Sequence, residues 1–136
     1  MSIPSFFVRH VAISVANLEE SIDWYRRCLG FELVRQEYVP PVDAKVATMA
    51  RDGVELEIFF HEGSTPMTAE RTDPNRDPHT QGVKHFCLGT GQLEELVDFL
   101  RSQGVEIVVG PVRLGDNTLY YIHDNSGNLI ELMQRD

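Results

Sequence analysis

Two histidines and two glutamates, His10, Glu57, His85 and Glu131, stand at matching places in a chain that repeats itself. Two imidazole nitrogens with two carboxylate oxygens suit one divalent cation of the Zn, Ni, Co, Mn or Fe group. No thiolate belongs to the set, which argues against a closed structural zinc site. Two carboxylates brought together in a partly apolar cleft would cost on the order of several kcal/mol, or force one of them to take up a proton. A cation removes that conflict. Holding two adjacent substrate oxygens, it acts as a Lewis acid and stabilises the enediolate formed when a proton leaves the neighbouring carbon. Glu131 or Glu57, the two candidate catalytic residues, would take and return that proton.

Strands and helices in mixed order must position these side chains. Residues 7–15 alternate with period two, placing Val8, His10, Ala12 and Ser14 on the less oily side of a strand. Asn17 is a candidate N-cap for a helix in which Leu18, Ile22, Tyr25 and Leu29 recur at helical spacing and Gly30 gives the stop. Strands follow at about 31–39, 44–51 and 54–61, the last two joined by the hairpin signal Asp52-Gly53. In the last strand Leu56 and Ile58 share one face, and Glu55, Glu57 and His61 share the other.

The same order returns from Val83: a strand, a helix over QLEELVDFLRSQG, then strands at about 105–112, 117–123 and 128–134. A shift of 75 lays His10, Leu18, Asp23 and Arg26 on His85, Leu93, Asp98 and Arg101. A shift of 74 lays Gly30, Gly53 and Glu57 on Gly104, Gly127 and Glu131. The expected fold class is α+β, with two tandem βαβββ modules forming an open, curled mixed β-sheet half-barrel around a metal-binding cleft. Residues 1–136 form a single domain, with module 1 at about 5–61, a linker at about 62–82 and module 2 at about 83–134. The polar, proline-bearing segment EGSTPMTAERTDPNRDPHTQG is long for a connection, and three roles are open to it: a linker, a flap over the site, or an arm on a partner subunit.

Composition narrows the function. At 136 residues the chain is large enough to be stable without a structural metal, so a bound metal would serve function. Net charge −9 repels phosphate backbones and anionic lipid surfaces, which disfavours nucleic acid and membrane as partners. Cys28 and Cys87 lie far apart and match no CxxC or zinc-ribbon spacing, so they read as small buried hydrophobes of a reducing compartment, and a cytoplasmic location is expected. The remaining histidines, His61, His79 and His123, lack repeat partners; His61 shares a face with Glu57 and is the spare ligand candidate. Either Tyr120 or Tyr121 must face the cleft.

RHVAISVANLEESIDWYRRCLGFEL, GVELEIFF, GVKHFCLGT and HDNSGNLIELMQ together resemble the vicinal oxygen chelate superfamily over nearly the whole chain. That superfamily includes glyoxalase I, methylmalonyl-CoA epimerase, extradiol dioxygenases, and fosfomycin- and bleomycin-resistance proteins. The resemblance implies the same four metal ligands, His10, Glu57, His85 and Glu131. Glutamate at the second position favours the glyoxalase I-like set, while Asp124-Asn125 departs from the usual Asp-Pro. The function it implies is a divalent-metal-dependent lyase, isomerase or epimerase acting on a small carbonyl or thioester substrate. Two rivals remain: an Fe-dependent dioxygenase or metal-dependent transferase with three protein ligands, and a bleomycin-resistance-like binding protein without a protein-held metal. A homodimer is expected, because members of the superfamily build their sites within one chain or from two.

Overall fold

The computed structural model describes residues 1–136. Asn17 does cap the first helix, α1 (Leu18–Leu29): its side chain accepts from the Glu20 amide at 3.0 Å, and Glu19 and Glu20 complement the positive end of the helix dipole. Gly30 ends it in the left-handed region at φ 70°, donating its amide back to Arg26. The apolar stripe places Ile22, Tyr25, Cys28 and Leu29 in the core.

Strands β1 (Val11–Ser14), β2 (Glu32–Val39), β3 (Ala44–Arg51) and β4 (Val54–Phe60) form one sheet in the order β1-β4-β3-β2. β1 runs parallel to β4, and the other pairs are antiparallel. Asp52 and Gly53, at φ 45° and 83°, make the tight β3–β4 turn, as the Asp-Gly pair foretells. The second module repeats the plan with β5 (Phe86–Gly89), α2 (Leu93–Ser102), β6 (Ile107–Leu114), β7 (Asn117–His123) and β8 (Leu129–Arg135), in sheet order β5-β8-β7-β6. The fold is therefore α+β with two open four-stranded mixed sheets. No helix is long and apolar enough to cross a membrane.

The first strand of each module is shorter than its period-two pattern. β1 begins at Val11 and β5 at Phe86, so His10 and His85 each precede a strand by one residue. Both strands are sheet edges with a partner on one side only, and half a ladder does not carry pairing to the end of the pattern.

One core serves both modules. Leu56 and Ile58 of β4, and Ile130 and Leu132 of β8, join Tyr25, Leu29, Val97 and Leu100 in a single cluster. A turn at residues 124–128 fastens the halves together. The buried Asp124 carboxylate accepts from the amides of Ser126 (2.8 Å) and Asn128 (2.9 Å), from the Asn128 side chain (2.9 Å) and from the Tyr25 hydroxyl (2.7 Å). Ser126 Oγ accepts from the Ala16 amide at 2.8 Å, and Asn125 Oδ1 accepts from the Ser21 hydroxyl at 3.0 Å. The residue that replaces the usual proline thus contributes a bond across the module boundary.

Segment 62–82 packs on its own chain. Asp77, 1% exposed, lies in a short 3-10 turn (Asp77–His79) between Arg71 Nε at 2.5 Å and Lys84 Nζ at 3.3 Å. Lys84 also donates to the carbonyls of Asp77 and Thr80, and Arg71 donates to the Val83 carbonyl at 2.7 Å. These bonds tie the segment to the chain leading into His85.

Candidate metal centre

Strand pairing sets the level of each carboxylate. In the first sheet, the row through Glu57 runs Ala12, Glu57, Thr48, Arg35; in the second, the row through Glu131 runs Cys87, Glu131, Tyr121, Val109. Leu56 and Ile58 are 1% and 0% exposed against the helix side, so alternation turns Glu57 to the opposite face. Ile130 and Leu132, both 0% exposed, do the same for Glu131.

Each glutamate meets the histidine of its own module. His10 Nε2 lies 2.7 Å from Glu57 Oε1, and His85 Nε2 lies 2.7 Å from Glu131 Oε2. At 2.7 Å each pair is in direct polar contact, and opening it by a few tenths of an ångström would give the roughly 3 Å that separates neighbouring ligands of a first-row cation with bonds of about 2.0–2.2 Å. Within one chain the gathering stops there: no group of three or more His, Cys, Asp or Glu side chains converges on one point. The four expected ligands stand as two pairs, one per module. An imidazole and a carboxylate at this spacing fit half of a cation site.

The two pairs have unequal surroundings. Side-chain exposure is 38% for His10 and 21% for Glu57, against 27% for His85 and 9% for Glu131. Of the two adjacent tyrosines, Tyr121 is the one that faces the site. Its hydroxyl donates to Glu131 Oε2 at 3.2 Å, and its ring meets His85 edge-on with centroids 5.1 Å apart. Burial, followed by the charge of Glu131, pushes the Tyr121 hydroxyl up to about 12, and the same two causes push the Cys87 thiol beside it up to about 11. Tyr121 thus faces Glu131 as a neutral donor. Of the two cysteines read as buried from the sequence, Cys28 is buried and Cys87, on the edge strand β5, is exposed, because an edge strand lacks a second neighbour to cover it. Tyr120 is buried on the other face and donates to Glu94.

His61 does not join Glu57. Its Nδ1 lies 2.6 Å from the Asp43 carbonyl oxygen at the sheet margin. His123 Nε2 sits 2.6 Å from the Thr72 carbonyl, and His79 belongs to the 3-10 turn. A cleft of about 390 Å³ lies between the edge strands β1 and β5, bordered by His85, Lys84, Leu129 and Ser126 and walled by Ser64–Met67 of the intermodule segment.

Two repeated four-stranded mixed sheets, each with one helix, define a class of small two-module proteins. Residues 8–132 match the Glyoxalase/Bleomycin resistance protein/Dioxygenase superfamily, and the chain belongs to it. A lactoylglutathione lyase of Arabidopsis thaliana is 28% identical over 93% of this chain, which spans 43% of that relative's length. A lactoylglutathione lyase of Neisseria meningitidis serogroup A is 26% identical over 93% of this chain and 88% of its own length. Among solved structures, a glyoxalase family protein from Enterococcus faecalis superposes with TM-score 0.77 at 26% identity, covering 93% of this chain and 96% of its own.

Proposed function

We propose that this chain is a divalent-metal-dependent, glyoxalase I-like enzyme, an isomerase, lyase or epimerase that removes and returns a carbon-bound proton of a small carbonyl or thioester substrate. The observation that carries this reading is the repeated imidazole–carboxylate pair, 2.7 Å apart in both modules at matching register. Its relatives named lactoylglutathione lyase support lyase or isomerase chemistry on a thiol adduct of a 2-oxoaldehyde. His10, Glu57, His85 and Glu131 would hold the cation. When bound, a divalent cation supplies Lewis acidity to two adjacent substrate oxygens, which lowers the cost of removing the neighbouring proton. A glutamate beside the substrate carbon takes that proton and returns it, to the adjacent carbon in an isomerase or lyase and to the opposite face of the same carbon in an epimerase.

A second copy of the chain completes the site in this reading. The pairs do not meet within one chain, and Phe6, Phe7 and Val8, which lead into His10, are 86%, 79% and 86% exposed. Val83, two residues before His85, is 86% exposed as well. A partner covering these apolar residues would bring the first pair of one copy to the second pair of the other, giving two equivalent sites per dimer.

Elemental analysis of the purified protein after mild dialysis, followed by solvent-deuterium exchange on 2-oxoaldehyde thiol adducts and 2-methylacyl thioesters, tests the reading. Retained divalent metal with metal-dependent exchange is the expected result. A protein that takes up no metal is the outcome a drug-sequestering module would give. Bound metal with no exchange in any substrate, but with oxygen consumption, would favour the dioxygenase reading.

A further inference from the structure

We infer that Tyr121 is a positioning residue that makes the two half-sites unequal, fixing His85 and Glu131 as the rigid seat for the cation. The inference rests on the metalloenzyme reading and concerns how its site is built.

The duplication supplies an internal control. Strand pairing sets Thr48 opposite Glu57 and Tyr121 opposite Glu131, so these residues occupy the same place in the two modules. Thr48 is 1% exposed and makes no side-chain bond to Glu57. Tyr121 instead reaches both members of its pair, with the hydroxyl on Glu131 Oε2 at 3.2 Å and the ring edge-on to His85, the planes 89° apart. Glu131 is also the less exposed carboxylate, 9% against 21% for Glu57. A side chain already held in place gives up little rotamer freedom when it binds, so the second pair is preorganised. The first pair has only its own imidazole–carboxylate contact, and Glu57 is left freer to move.

Titration with Co²⁺, followed by its visible absorption, tests this in the full-length protein. Tyr121→Phe removes one oxygen from a strand residue and is expected to weaken Co²⁺ binding about 10–100-fold, in line with losses of outer partners of metal ligands. Thr48→Val, the matching change in the other module, is expected to leave the affinity within about threefold. Activity at saturating metal is expected to fall less than metal affinity in Tyr121→Phe. Unfolding midpoints identify a variant that is merely unstable; should Tyr121→Phe not fold, Tyr121→Leu is read in the same way. Wild-type binding with equal affinity in Tyr121→Phe overturns the inference and leaves the metalloenzyme reading standing. Equal losses in the two variants also overturn it. A wild-type protein that takes up no Co²⁺ overturns both.

Discussion

The hydroxyl of Tyr25, in the first module, donates to Oδ2 of Asp124, in the second, at 2.7 Å, with both residues buried. Burial, then the charge of Asp124 and its hydrogen bond, hold the phenol well above its ordinary value. The folded protein therefore keeps Tyr25 neutral where the unfolded chain ionises it. The stability this contributes is fully present below about pH 10, the unfolded value, and is lost as pH rises through the folded one. Tyr25→Phe is expected to cost about 1–3 kcal/mol at neutral pH. Above about pH 10 its stability is expected to fall less steeply than wild type, as checked by urea unfolding across pH.

Shared construction of the metal site is checked by mixing variants. In the proposed dimer, copies carrying His10→Ala or Glu131→Ala would each lack one ligand in both sites. In a mixed dimer built as proposed, one site combines both defects and the other is intact. Co-refolded mixtures are expected to regain metal and exchange activity that neither parent shows. No regain, with mixed dimers shown to form, would place all four ligands within one chain.

Phe6, Phe7 and Val8 precede His10, with Arg9 between, and lie open on the single chain. Replacing Phe6 and Phe7 by Ser is expected to shift sedimentation from dimer toward monomer. Metal binding should fall with it and recover at higher protein concentration, because assembly and ligand gathering are linked by mass action. Metal affinity independent of assembly would break that link.

Asp77 sits between two cations whose side chains are 30% and 25% exposed, Arg71 and Lys84. Asp77→Asn leaves both without their counter-charge. The partial exposure of the cations keeps the expected cost at about 1–3 kcal/mol, below that of a fully buried pair. Segment 62–82 should then be cut faster in limited proteolysis, with the sheets intact. An unchanged cleavage rate would mean that other contacts hold the segment.

Much of the architecture was legible from the chain alone. Period-two and helical spacing located both helices and all eight strands, and Asn17 and Gly30 marked the ends of α1 because caps are chosen by local chemistry. The early starts read for β1 and β5 were too generous, since alternation records which face is apolar and not whether a neighbour is there to bond. The repeat also concealed the equivalence of Thr48 and Tyr121. A shift of 74 lays Tyr121 on Ala47; the longer turn before β8 moves the true partner by one residue, and only strand pairing reveals it.

The linear order of residues decided that this protein has two copies of one module, and that each copy turns a histidine and a glutamate away from its helix, because side-chain direction along a strand follows from parity. Folding decided what those donors meet. They close into two separate pairs, Tyr121 holds one of them, and Asp124 and Asp77 are enclosed by groups from distant segments. Contacts of this kind depend on turn lengths, strand register and the docking of one module on another, which are set by packing in three dimensions and leave no periodic mark in the chain.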